Sequence, residues 1–261
     1  MSKADMARAA FLFLPLLLLG LLVIPGRLRL RLPLSIVIAA VVAIALPLLL
    51  PRGALTYLAS FSTMAGIYAI LSLGLNSQWG LTGHVNFGIA GFFAIGAFTS
   101  ALVTTTMPSG ALASYSQQAF GLGWPIIAGI LIAGVVSAVA GFLISIPVLR
   151  LRTDFLAIAT LGIAEIIRFI FQNERWLANG PQPMRGIPRP LNCVFTDPPC
   201  SWLPEEIARF VAPLAPRDYV FLYLGIVALI LAVTYLLLER ISRSPWGRLQ
   251  RAIRDEENSA A

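Results

Sequence analysis

Lysine is almost missing from this chain of 261 residues, with Lys3 the only one. A Walker A loop needs a lysine to grip nucleotide phosphates, and Lys3 is in no usable place, so ATP hydrolysis by that route is excluded. Histidine is represented by His84 alone and cysteine by Cys193 and Cys200. So few ligands predict no zinc or other metal site built from several Cys or His. Charge is thin as well, at 12% of residues. A water-soluble domain carries about a quarter, so that class is excluded.

Apolar residues fill the space instead: 58% of the chain is hydrophobic and the mean hydropathy is +0.83. The expected fold is all-α, a polytopic membrane protein forming a single transmembrane domain over residues 1–261. The net charge of +7 and the pI near 10.1 come from arginines that flank apolar runs, as juxtamembrane charge does. The lipid bilayer is therefore an expected partner and nucleic acid is not.

Apolar runs near 9–25, 33–51, 54–75, 86–107, 123–149, 154–173 and 218–238 each approach the ~20 residues that a helix needs to cross the bilayer core. They predict about seven transmembrane helices, with Pro15 and Pro47 kinking the first two. The first run is followed by a basic turn, not by a small-residue cleavage site, and reads as a retained span. An odd number of spans puts the termini on opposite sides. The short loops 26–32 and 150–153 hold Arg27, Arg29, Arg31, Arg150 and Arg152, whereas the short loops on the other side, 51–53 and 108–122, hold only Arg52; the long segment 174–217 counts little in the rule. By the positive-inside rule the arginine-rich side is cytoplasmic. The N-terminus is then outside, 174–217 is an ordered external loop with a short helix at 204–210, and the tail 239–261 is cytoplasmic.

The stretch Gly74–Ser100, GLNSQWGLTGHVNFGIAGFFAIGAFTS, is where two apolar runs meet across glycines and uncharged hydrogen-bonding side chains. It reads as a glycine-rich helix broken inside the membrane, with Asn76, Gln78, Thr82, His84 and Asn86 as candidates to line a polar translocation path. Irregular backbone at membrane depth is tolerated only where protein or a watery path covers it. An ordinary loop between two spans is the alternative, and for His84 a hydrogen-bonded structural histidine is favoured over a titrating or cargo-binding one. Glu165 and Arg168 lie three apart on one face of the run DFLAIATLGIAEIIRFIF. Ionisable groups at that depth usually face a bundle interior, and three roles are open: a structural ion pair orienting the helix, contact with cargo, or a coupling carboxylate. Cys193 and Cys200 fall on the expected outer face, where oxidising conditions permit a disulfide; free thiols are the alternative.

The tail, LERISRSPWGRLQRAIRDEENSAA, predicts a helix starting at Ser244–Pro245, with serine as cap and proline in the first turn. Trp246, Leu249 and Ile253 recur on one side, Arg248, Arg251 and Arg254 on the remainder, and Asp255 and Glu256 follow. Such a helix lies on the lipid surface or docks in the groove of a cytoplasmic partner; the residues alone do not separate the two.

In order along the chain, GLNSQWGLTGHVNFGIAGFFAIGAFTSALV, DFLAIATLGIAEIIRFIF, NGPQPMRGIPRP and SPWGRLQRAIRDEENSAA resemble segments of the branched-chain amino acid ABC transporter permeases. The resemblance covers most of 70–261. It implies a permease subunit of the bacterial inner membrane without an ATPase site or cofactor of its own. Its implied partners are a second permease, two ATP-binding subunits that use the ATP, and an external amino-acid-binding protein. The family's Glu-Ala-Ala-type cytoplasmic loop corresponds to Ser244–Ala261, which makes Ser244, Trp246, Arg248, Leu249, Arg251, Ile253, Arg254, Asp255 and Glu256 expected ATPase contacts and moves docking ahead of the lipid surface. The family's loop continues through a glycine into further spans, so a fragment is expected. Related permeases carry urea or short amides, which is one alternative cargo. An ion-coupled carrier of small amino acids is the other alternative, although the internal repeats of such carriers are not evident. Nor does the chain show the nucleophile and paired base that an intramembrane hydrolase needs.

Overall fold

The computed structural model describes residues 8–9, 12–13, 15–17, 28–83, 86–107, 117–148, 151, 153–184, 186–190 and 218–259. His84, Cys193, Cys200, Arg27, Arg150, Arg152 and the helix expected at 204–210 lie outside the described residues, as do the side chains of Ile253, Asp255 and Glu256. The helices are α1 (Leu28–Leu49), α2 (Arg52–Thr82), α3 (Ile89–Thr104), α4 (Ile126–Val148), α5 (Thr153–Asn173), the single turn α6 (Arg175–Ala178), α7 (Tyr219–Arg243) and α8 (Pro245–Ser259). Extended pairing among the described residues is confined to the isolated bridges Thr106–Leu122 and Gln118–Ala178. Four segments are long and apolar enough to cross a bilayer: Arg52–Thr82, Ile126–Val148, Phe155–Asn173 and Tyr219–Arg243. Ile36–Leu46 and Ile89–Thr104 are shorter apolar helices. Of the seven expected spans, four therefore meet the length requirement among the described residues, and the first run is described only in pieces.

Two boundaries differ from the sequence reading. Helix α1 starts at Leu28, so Arg29 and Arg31 belong to its first turn and not to a loop. Helix α2 does not end near residue 75; it runs for 31 residues to Thr82, which leaves Gly74, Asn76, Gln78 and Gly80 helical and confines the break to the interval between Thr82 and Ile89. The cause is local. Hydroxyls in this polar stretch bond back to their own helix: Ser72 Oγ donates to the Tyr68 carbonyl at 2.9 Å, Ser77 Oγ to Gly74 at 2.7 Å and Thr82 Oγ1 to Gln78 at 2.6 Å. Side chains satisfied in this way need no water and no loop.

The chain divides into two compact units, Met1–Leu73 with Leu191–Ser244, and Gly74–Pro190 with Pro245–Ala261. In the first unit small residues let helices approach, as helices in lipid require. Ala39 and Ala43 are buried one turn apart on α1, and Leu55, Ala59 and Thr63 are buried down one face of α2. A Cβ on Gly66, further along that face, would lie 2.8 Å from Val227 of α7. Leu12, Ala43, Leu55, Ala59, Phe221 and Leu224 form the core. Beside it Arg8 grips Asp218 with both arms of its fork, Nε to Oδ1 at 3.0 Å and Nη2 to Oδ2 at 2.9 Å. The two side chains are only 5% and 8% exposed. They border a cavity of about 690 Å³ with Arg52, Thr56, Tyr57 and Ser60, which puts three charged residues expected on one membrane face in one place.

The second unit is built on α3, α4 and α5. A Cβ on Gly91 of α3 would lie 2.9 Å from Ala164 Cα of α5, and one on Gly129 of α4 would collide with Thr104 of α3. One end of this unit is tied by backbone bonds. Gly123 N donates to the Thr105 carbonyl, Trp124 N to Val103 and Ala119 N to Leu177. Asn179, in the left-handed region at φ 66°, accepts from Gln117 N at 3.0 Å through Oδ1 and donates to the Pro183 carbonyl at 3.3 Å through Nδ2. Asparagine tolerates that backbone region and bonds locally there. Residues 177–179 of the expected external loop are thereby tied to residues 117–119.

Candidate functional site

The helix break sits at the other end of the second unit, and two side chains hold it. Asn86 Oδ1 accepts from Gly88 N at 2.7 Å. Thr160 Oγ1 of α5 accepts from Phe87 N at 3.1 Å and donates to the Ala157 carbonyl at 3.0 Å. The backbone donors of Phe87 and Gly88 are thus paired by side chains, as irregular chain at membrane depth requires. Gly83 stops α2 with its N–H on the Trp79 carbonyl and φ at +77°, a conformation that L side chains seldom adopt.

Around this break lies a cavity of about 650 Å³, within the range of small-solute sites. Its polar lining is Gln78 and Thr82 from the last turns of α2, Asn86 from the break, Ser137 and Ser145 from α4, and Thr160 from α5. Apolar walls come from Ile89, Phe92, Ile144, Val148, Leu156 and Ile163. No charged residue is among the described lining residues. Hydroxyls and amides on an apolar wall can bind a small solute by directed hydrogen bonds without fixing an ion. The first turn of α3 borders the same space through Ile89, bringing the partial positive end of a helix dipole to it.

Gln78, Thr82 and Asn86 thus come together as the sequence predicts. Asn76 does not join them: its amide lies along its own helix, where a Cβ on Gly80 would meet Asn76 Oδ1 at 2.6 Å. Ser137, Ser145 and Thr160 were missed because single hydroxyls in apolar runs look like filler. The signal that finds them is spacing, since Ser137, Gly141, Ile144, Ser145 and Val148 fall on one face of α4.

Glu165 and Arg168 do pair, Arg168 Nε to Glu165 Oε2 at 2.8 Å, but the side chains are 56% and 61% exposed on the chain. On this chain the pair is open at the surface, and neither residue is among the described residues lining the cavity. The inward face of α5 is taken by Leu156, Thr160 and Ala164, which turns positions 165 and 168 away. At the middle of a span such a face meets lipid or another subunit, where a charge without its partner is costly. Glu165→Gln should accordingly lower the thermal midpoint of the detergent-solubilised chain, and Glu165→Gln with Arg168→Gln should recover part of the loss; an unchanged midpoint would show that the pair stands in water.

Helix α8 starts at Pro245, as the sequence predicts. Ser244 is extended, ends α7, and its Oγ donates to the Ile241 carbonyl at 2.6 Å. Gly247 is buried and Gln250 and Arg254 are half-buried, whereas Trp246 and Leu249 are 69% and 54% exposed. Arg248 is also exposed. Arg251 Nε donates to the Gly247 carbonyl of its own helix at 3.0 Å. Arg254, one of the expected partner contacts, donates from Nη1 to the Gly80 carbonyl at 3.0 Å. The helix therefore spends one face on its own unit and leaves an apolar pair open on another.

Several membrane-crossing helices around an uncharged polar cavity define a multi-pass membrane protein. The chain belongs to the family described as branched-chain amino acid transport system / permease component, whose sequence profile matches residues 57–261. It is 39% identical over 223 residues to the high-affinity branched-chain amino acid transport system permease protein LivM of Salmonella typhimurium, covering 82% of this chain and 47% of that one. Identity and coverage are the same for LivM of Escherichia coli. The chain spans about half the length of the curated relatives it matches. No solved structure gives a significant match to the chain.

Proposed function

We propose that this chain is a membrane-spanning permease subunit of an ABC importer of the bacterial inner membrane, moving branched-chain amino acids. The observation that carries the reading is the pairing, in one unit, of an uncharged cavity at a helix break with a tail helix whose Trp246 and Leu249 are open. Its partners are a second permease, two ATP-binding subunits that supply the hydrolysis, and an external amino-acid-binding protein. Residue 261 is cytoplasmic and the N-terminus outside, in keeping with the arginine bias between short loops. The cavity is then a cytoplasmic part of the cargo path, with Gln78, Thr82, Asn86, Ser137, Ser145 and Thr160 offering hydrogen bonds and the apolar wall accepting an aliphatic side chain. An uncharged lining favours a neutral amide or urea as the second cargo reading. An ion-coupled carrier gains no support, since Glu165 is paired outside the cavity.

Burying Trp246 and Leu249 in a groove of an ATP-binding subunit stabilises the contact by about 1.5–3 kcal/mol for each side chain before ordering costs. Trp246→Asp with Leu249→Asp should abolish co-purification of the ATP-binding subunit and cargo-stimulated ATPase activity, while the chain stays folded in the membrane. Arg248→Ala, at an exposed rim, should matter less. Undiminished association and stimulation in the double variant would return α8 to the lipid surface.

A further inference from the structure

The inner face of α8 meets the second unit at the end of α2. The last carbonyls of a helix have no partner within it and carry the negative end of its dipole. Gly80 offers one such carbonyl, and the Arg254 guanidinium donates to it at 3.0 Å. The stem of the same arginine lies across Gly83, where a Cβ would come within 2.9 Å of Arg254 Cγ. Two independent features thus fit one side chain: a charge-assisted bond to a carbonyl of the last turns of α2, and a glycine whose missing side chain leaves room for the stem. Gln78 and Thr82, on these same last turns of α2, line the cavity. Gln250, one turn before Arg254, has a buried amide oxygen without a partner among the described residues. A buried polar atom left unpaired is unfavourable.

We propose that Arg254 is a positioning residue that transmits displacement of α8 to Gln78 and Thr82, joining the docking helix to the cavity wall. The inference rests on the reading of α8 as the ATPase-docking helix. A pull on α8 loads the bond to Gly80, and a push loads the packed stem on Gly83, so movement in either direction reaches the last turn of α2. Energetic coupling of this kind needs such a contiguous contact together with an element that has two arrangements.

The test has two arms. In the chain alone in lipid vesicles, with Cys193 and Cys200 replaced by Ser, spin labels at Trp79→Cys and Ala252→Cys should report one narrow distance that broadens in Arg254→Met. An unchanged distribution overturns the clamp whether or not an ATPase binds. In the assembled transporter, Arg254→Met should lower cargo-stimulated hydrolysis and uptake about 10-fold per ATP-binding subunit bound, within the usual span of coupling effects. Arg254→Lys should recover part of this, because an ammonium can still donate to a single carbonyl. Parental stimulation in Arg254→Met overturns the role in transmission. Loss of the bound ATP-binding subunit in Arg254→Met also overturns it, since that places the residue in docking. Failure of the docking reading itself is read separately, as retained association in the Trp246 and Leu249 double variant.

Discussion

Replacing Asp218 by Asn should destabilise the first unit by about 3–5 kcal/mol, the usual cost of removing one member of a buried ion pair. Arg8 is 5% exposed and makes both of its fork bonds to this one carboxylate. An amide cannot supply the charge, and the guanidinium has little water to turn to. The expected result is a lower thermal midpoint in detergent and a reduced yield of folded protein for Asp218→Asn, with a comparable loss for Arg8→Met. Replacing both together by Met and Leu should recover much of the loss, since a well-packed apolar pair is often as stable as a buried ion pair. A double variant as unstable as the singles would show that other partners of the two side chains carry the effect. Of the two ion pairs, the one at Arg8 is closed off within the chain, whereas Glu165 and Arg168 are open on its surface.

The second large effect belongs to Gly91. Gly91→Leu should push α3 from α5, because even the first carbon would come within 2.9 Å of a backbone atom, Ala164 Cα, that cannot rotate away. Overpacking of this kind typically costs 1–3 kcal/mol, about that much or more here since backbone must move. Gly162 on α5 supplies the control, as nothing lies within 4 Å of a Cβ placed there. Gly162→Leu should fold like the parent. Thermal unfolding of the two variants side by side separates packing from helix propensity, which both substitutions change in the same direction. Equal midpoints would mean that the close approach is not what holds these helices.

Helix positions were legible because apolar runs of bilayer length have few alternatives, and the tail helix was legible because its apolar residues recur at helical spacing behind a Ser-Pro start. The break was misplaced because glycines and amides from Gly74 to Gly80 resemble a loop when each residue is judged against water. Inside α2 the hydroxyls of Ser77 and Thr82 bond to their own helix, and that local satisfaction leaves no trace in composition. Gln78, Thr82 and Asn86 were found as candidates for the cavity wall because polar residues between apolar flanks stand out. Asn76 was a false companion, since facing direction turns on a rotation of about 100° per residue. The Arg254 contact was illegible for a different reason: Gly80 and Arg254 are 174 positions apart, and arginine in an amphipathic tail suggests an external partner by default.

The 16 residues of α3 amount to about 24 Å of helix at 1.5 Å per residue, against a hydrocarbon layer of about 30 Å. With the tied end of α3 at one boundary of that layer, the break falls about 6 Å short of the other, and any tilt deepens it. Bilayer thickness therefore becomes a variable of the site. Thinner lipid brings the paired amides of Phe87 and Gly88 toward the headgroups, and thicker lipid draws them into oil, where Asn86 and Thr160 are the only shelter the described contacts give them. Acyl-chain length should then modulate this protein through one short helix, without any lipid entering the cavity.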